Sequence, residues 1–398
     1  MKGSKSFAFA YLRFFLIGLA IFVAVGAAGL FYLNNYYFSD NANYKSKVVA
    51  TGASSKVALK TVTIDSNAKN LSVSYDRHYA AYLLDGKIGV ADLTTGQKYT
   101  IDNPSKMTPM YFRWVYNRDW IAVAEKNSTD DYARLYTCSM KDRKLNEVRD
   151  NVSDTNIDIS LNEGDSITEI EMSTAAVKTY VKITSSSKRS RIYEVDAYGD
   201  TKLTQLYNTA VKSIGAIQSM KEADKLLYED SSAGKLYMYG RSSAISVDGV
   251  TSLGLLGFDN SDNVYLANLA GGTTRTIYRG AYSSSAGKWT WADPIKLDAA
   301  VPSTDIYVQL NGSIYYVDEN NSTVVKAQLT SSSSSSESAS SSASSSKTSS
   351  SSSKTSSAKT SSKSSSYGTP YKGKVVGVFQ SGFITLYNNQ LVPYEFKS

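Results

Sequence analysis

One histidine, His78, and one cysteine, Cys138, limit the chemistry open to this 398-residue chain. A serine-type hydrolase triad would have to use His78 as its base. That base would need a nucleophile and an orienting acid within reach. No G-x-S-x-G elbow occurs in the sequence, and no stretch is left over to build a hydrolase domain. His78 follows Asp76-Arg77 and reads as a surface residue beside a turn. Zinc sites made of Cys and His need three or four such ligands, more than the chain owns. A lone cysteine forms no internal disulfide, so burial alone must hold the fold, as in many Gram-positive surface proteins. Cys138 reads as a small buried hydrophobe.

Asp259-Asn260-Ser261-Asp262-Asn263 has the acid and amide spacing of a calcium loop. It lacks the required glycine at the sixth position, where Val264 stands, and the closing bidentate Glu. Asp and Asn in a tight turn before a strand account for it. The sequence therefore assigns no metal and no cofactor.

The aromatic residues carry the candidate binding surface: Trp114 and Trp120 beside Tyr111 and Tyr116, and Trp289 with Trp291. Residues two apart on a strand share a face. Exposed, these rings could stack on sugars or on a partner's apolar patch. Buried, they would fill the space between sheets.

The elements that must position these residues are short strands. Tyr is abundant, at 30, and Pro scarce, at 6, which favours strand over helix. The clearest unit runs over 71–96, LSVSYDRHYAAYLLDGKIGVADLTTG. It parses as three strands joined by turns at Asp76-Arg77 and Asp85-Gly86. The same rhythm returns over 110–148, 167–206, 214–247, 253–297 and 305–329, at the 40- to 50-residue spacing of β-propeller blades.

Ile88-Gly89-Val90-Ala91-Asp92-Leu93-Thr94-Thr95-Gly96 resembles the closing part of a TolB/WD-type propeller repeat, with Ser74-Tyr75-Asp76-Arg77 in place of its S-x-D-G turn. Gly257-Phe258-Asp259 followed by Val264-Tyr265-Leu266-Ala267-Asn268 resembles the NHL-like form. In plan the chain is similar to single-span, surface-exposed propeller proteins of lactic-acid bacteria, often labelled as related to dipeptidyl aminopeptidases. The resemblance covers 57–329 and implies a fold, not a ligand.

Before the strands, Phe14 to Leu33 is almost wholly apolar and uncharged. About 20 such residues span a bilayer core. Lys2, Lys5 and Arg13 precede them, which places the N-terminus in the cytoplasm and the bulk of the chain outside. A cleaved signal peptide is the competing reading, with small residues at Val25-Gly26-Ala27-Ala28. The apolar run continues through Leu30, Phe31 and Leu33, which favours a retained anchor. Residues 34–56 read as a polar stem.

After the strands, 331–366 holds 25 Ser in 36 residues and cannot bury enough apolar surface to fold. Strand character returns over 367–398, with an Asn388-Asn389 turn. So short a piece must pack on something: it closes the propeller, or it docks to a partner or the wall.

The net charge of +7 belongs to the tails. Residues 34–330 sum to −1, which argues against nucleic-acid binding. The expectation is an all-β propeller of six or seven blades at 57–330, one N-terminal transmembrane helix at 14–33 and a disordered Ser-rich tract. Its function is read as non-enzymatic binding to an envelope protein or a cell-wall glycan at the cell membrane. The alternatives are an accessory or sensory subunit and, third, a hydrolase.

Overall fold

The computed structural model describes residues 57–116, 118–150, 153–173, 178–196, 202–208, 213–220, 225–328 and 368–396. The chain divides into two compact units, Met1–Ala58 and Leu59–Ser398. The first is outside the described residues except for 57–58. The second is described here by itself.

Its strands form seven antiparallel sheets. Blade 1 is the best case for why the sequence folds this way. Lys69–Val73, Tyr79–Leu84, Lys87–Asp92 and Lys98–Ile101 follow one another from the inner strand to the outer one. Asp85 and Gly86, at φ 50° and 72°, make the tight turn expected of Asp-Gly. Arg77 takes φ 66° where the repeat usually has Gly. Blades 2 to 5 begin on inner strands Met107–Trp114, Ser166–Ser173, Ile214–Ser219 and Leu253–Phe258. Blade 6 begins on Ile306–Val308 and blade 7 on Lys374–Phe379. The sheets form a ring: the inner strand of blade 1 touches those of blades 2 and 7.

The ring is a seven-bladed β-propeller, and it reaches past the expected boundary at 330. Gly368–Pro370 is the outer strand of blade 6, pairing with Thr323–Lys326. Gly382–Tyr387 and Gln390–Glu395 continue blade 7, joined by Asn388-Asn389 at φ 49° and 60°. Its outer strand comes from the other end of the unit: Val62 pairs with Leu391 and Thr63 with Gln390. Of the two possibilities for the C-terminal piece, the structure takes ring closure. The Ser-rich tract lies outside the described residues, as does the expected span at 14–33. Among the described residues no helix is long and apolar enough to cross a membrane.

One apolar cluster fills each of the seven blade junctions. Alternation along the strands feeds two junctions at once. In blade 2, Ile121 and Val123 face blade 1, whereas Ala122 and Ala124 face blade 3. Each fully buried Ile or Leu in such a cluster contributes about 1.5–3 kcal/mol.

Six inner strands carry a bulge, at 167/169, 214/217, 255/257, 69/72, 109/111 and 375/377. A bulge leaves backbone N–H groups without a ladder partner. Acidic side chains supply part of what is missing. Glu169 of blade 3 accepts from Ile217 N of blade 4 at 3.3 Å. Glu229 of blade 4 accepts from Leu255 N of blade 5 at 2.8 Å. Arg113 of blade 2 meets Glu171 of blade 3 at 2.7 Å. Three successive junctions are thus bridged close to the axis by carboxylates.

Candidate functional site at the mouth of the channel

In a four-stranded antiparallel blade, the inner-to-second and third-to-outer turns lie on one face of the ring. That face carries the candidate site, built from two equivalent turns. Ser74-Tyr75-Asp76-Arg77-His78-Tyr79 in blade 1 aligns with Val115-Tyr116-Asn117-Arg118-Asp119-Trp120 in blade 2. Their backbone bonds match. Ser74 N donates to Tyr79 O as Val115 N does to Trp120 O, both at 2.8 Å. Leu93 N donates to His78 O at 2.7 Å as Met140 N does to Asp119 O at 2.9 Å. The same turn, repeated one blade on, sets the two tyrosines side by side with ring centroids 5.7 Å apart.

Tyr75 and Tyr116 line a cavity of about 250 Å³ in the channel, with Leu256 of blade 5, Tyr307 and Gln309 of blade 6, and Phe379 of blade 7. Burial raises the pKa of both phenols, so both stay protonated. A second hollow of about 510 Å³ lies along the inner strands of blades 1 and 2. Arg113 and Tyr111 are part of its wall.

Beside the tyrosines stand Asp76, His78 and Asp119. The Asp76 carboxylate is fixed by its own turn: Oδ1 accepts from Ser74 Oγ at 2.7 Å and from His78 N at 2.9 Å. Its Oδ2 lies 2.6 Å from His78 Nδ1. Asp119 arrives from blade 2 and hydrogen-bonds to Asp76. Asp119 is exposed as a residue, yet its carboxyl titrates near 6. Partial burial is the largest cause of that rise, followed by the charge of Asp76. A hydrogen-bonded carboxyl pair is too close for the roughly 5–9 Å spacing of glycosidase acids.

The four tryptophans part company. Trp120, directly after Asp119, is exposed at 39%. Trp114 is buried at the blade 1–2 junction and stacks on Tyr79 at 6.4 Å. Trp289 and Trp291 share a face as their spacing predicts, stacked at 5.8 Å, and lie half-buried against the junction of blades 4 and 5. Only Trp120 is exposed, at the start of the second strand of blade 2. Cys138 is fully buried in the blade 1–2 cluster and burial pushes its thiol up to about 11. Asp259 spends both oxygens on internal donors. Ser261 N and Asn263 N donate to Oδ1, while Asn263 Nδ2 and Tyr265 OH donate to Oδ2. That is a turn staple, as Asp and Asn at this position suggested.

Sequence reasoning placed His78 alone and missed Asp119. The signal was present as the repeated Tyr-x-Arg of 75–77 and 116–118. The exchange of Asp for Asn and of His for Asp between the copies hid it.

No family model and no curated protein matches the chain. Among solved structures it is similar to oligogalacturonate lyase from Vibrio parahaemolyticus, at 11% identity over 68% of this chain and 82% of that one, with a TM-score of 0.42. It is also similar to a protein from Lactobacillus plantarum, at 13% identity over 61% and 76%, TM-score 0.37. A chain of a mitotic checkpoint complex matches at 9% identity over 67% and 76%, TM-score 0.42. At that level the likeness is one of fold alone.

Proposed function

We propose that residues 14–33 hold this protein in a bacterial cell membrane, N-terminus inward, and that its propeller works outside by binding an envelope component without chemistry. The observation that carries the reading is the pair of exposed rings on one face of the ring: Tyr75, at the channel cavity, and Trp120, beside the equivalent turn of blade 2, are 36% and 39% exposed. Such rings offer broad apolar contact at low entropic cost, to a sugar face or to a protein. The uncharged run at 14–33, the neutral ring and the similarity in plan to single-span propellers of lactic-acid bacteria support the same reading.

The test is co-sedimentation of the detergent-solubilised full-length protein with isolated cell walls, together with cross-linking on intact cells. Pelleting with walls that weakens at least tenfold in Trp120→Ala assigns a glycan. Capture of one envelope protein, lost in the same variant, assigns a protein partner and favours the accessory role. Absence of both results, or a hydrolysis that His78→Ala abolishes, overturns the proposal.

A further inference from the structure

We infer that Asp76, His78 and Asp119 form a site for a first-row divalent cation, of the zinc or manganese kind, bridging blades 1 and 2 at the channel mouth. The three ligand atoms lie within 4.8 Å of one another, and they come from two blades. Atoms about 2.1 Å from one shared ion stand roughly 3–4 Å apart, so small side-chain rotations bring all three onto one centre. The ligand set is one imidazole and two carboxylates. It suits a borderline or harder transition cation better than Ca²⁺ or Mg²⁺, which take oxygen alone.

The support around the ligands is already in place. Ser74 Oγ and His78 N hold Asp76 Oδ1, which leaves Oδ2 turned toward His78 and Asp119. Such outer hydrogen bonds orient metal ligands in known sites.

Tyr75, next to Asp76 in the chain, lines both the 510 Å³ hollow and the 250 Å³ channel cavity. Trp120, next to Asp119, faces solvent. A metal there would keep positions open to water or to an oxygen of whatever occupies the mouth. The equivalent turn of blade 5 is a built-in contrast, because Asp259 has both oxygens filled by internal donors.

The experiment is equilibrium dialysis of the full-length protein against ZnCl₂ and, separately, MnCl₂, with metal counted per chain. One ion per chain is expected. Asp119→Asn keeps the shape and should weaken binding at least tenfold, and His78→Gln should do likewise. Glu163→Gln, an exposed acid in the loop leading into blade 3, should leave binding unchanged. Absence of binding by either metal overturns the inference, as does binding that Asp119→Asn leaves intact. A melting temperature for each variant, taken without metal, separates loss of the site from loss of the fold. The wall-binding role is read by pelleting and stands or falls separately.

Discussion

Val62 and Leu391 are partners in one antiparallel ladder, although almost the whole propeller lies between them in sequence. Arg77 reinforces the join, its guanidinium 2.9 Å from Glu395 and donating to Tyr394 O at 3.3 Å. The ring is therefore shut by residues from its two ends. A fragment ending at 330 should lose blade 7 and the outer strand of blade 6, leaving two blades with an open face. The expected result is no cooperative thermal transition for that fragment and a single one for the intact chain. A sharp melt of the fragment would show that blade 7 is an accessory and not a closure.

Glu125 lies in the second strand of blade 2, in the row of Ile121 and Val123. It is 0% exposed, and neither carboxyl oxygen has a hydrogen-bond partner among the described residues. Burial pushes its pKa up to about 7. The folded state then binds a proton that the unfolded state releases near 4.5, so stability falls as pH rises from about 4.5 to 7 and levels off above. Glu125→Met should stabilise the protein by on the order of 2 kcal/mol at pH 8 and by far less at pH 5. Urea melts of both proteins at the two pH values read the difference. An equal effect at both would rule out the titration.

Gly280, on the third strand of blade 5, lies under Trp291, and a Cβ there would run into the indole ring. Gly280→Ala should cost about 1–3 kcal/mol by forcing the stacked Trp289–Trp291 pair off its seat. Tryptophan fluorescence should change together with the melting midpoint. Unchanged emission would mean that the pair adjusts without strain.

Cys138 should resist thiol reagents in the native protein at pH 8, since it is buried and its thiol titrates near 11. Labelling should appear only with unfolding, in step with loss of the far-UV signal. Fast labelling under native conditions would contradict its place in the blade 1–2 core.

Much of this was legible in the sequence. Six of the blades announce themselves by strand rhythm, and the turns at Asp85-Gly86 and Asn388-Asn389 by residues that accept positive φ. The strands of the seventh blade were also legible, but not their place in the ring, because a Ser-rich tract separates them from the rest and their closing strand is only Val62–Thr63. The carboxylates at the junctions are hidden for another reason. Glu169 and Ile217 are 48 residues apart, and nothing local marks them as partners. Trp120 and Trp114 also look alike on the page, and only the pleat sends one to solvent and the other inward.

The late position of the strands that pair with this closing strand has a consequence for how the protein comes into being. Strand pairing within blades 1 to 5 is local and can form as the chain is made. The outer strand of blade 6 and all three inner strands of blade 7 follow residue 367, so the ring stays open until the stretch after the Ser-rich tract has been made. During that interval Val62 and its neighbours present an unpaired edge, the kind that recruits foreign strands. That edge is a strand of only two residues, which leaves a nascent chain little to stick with.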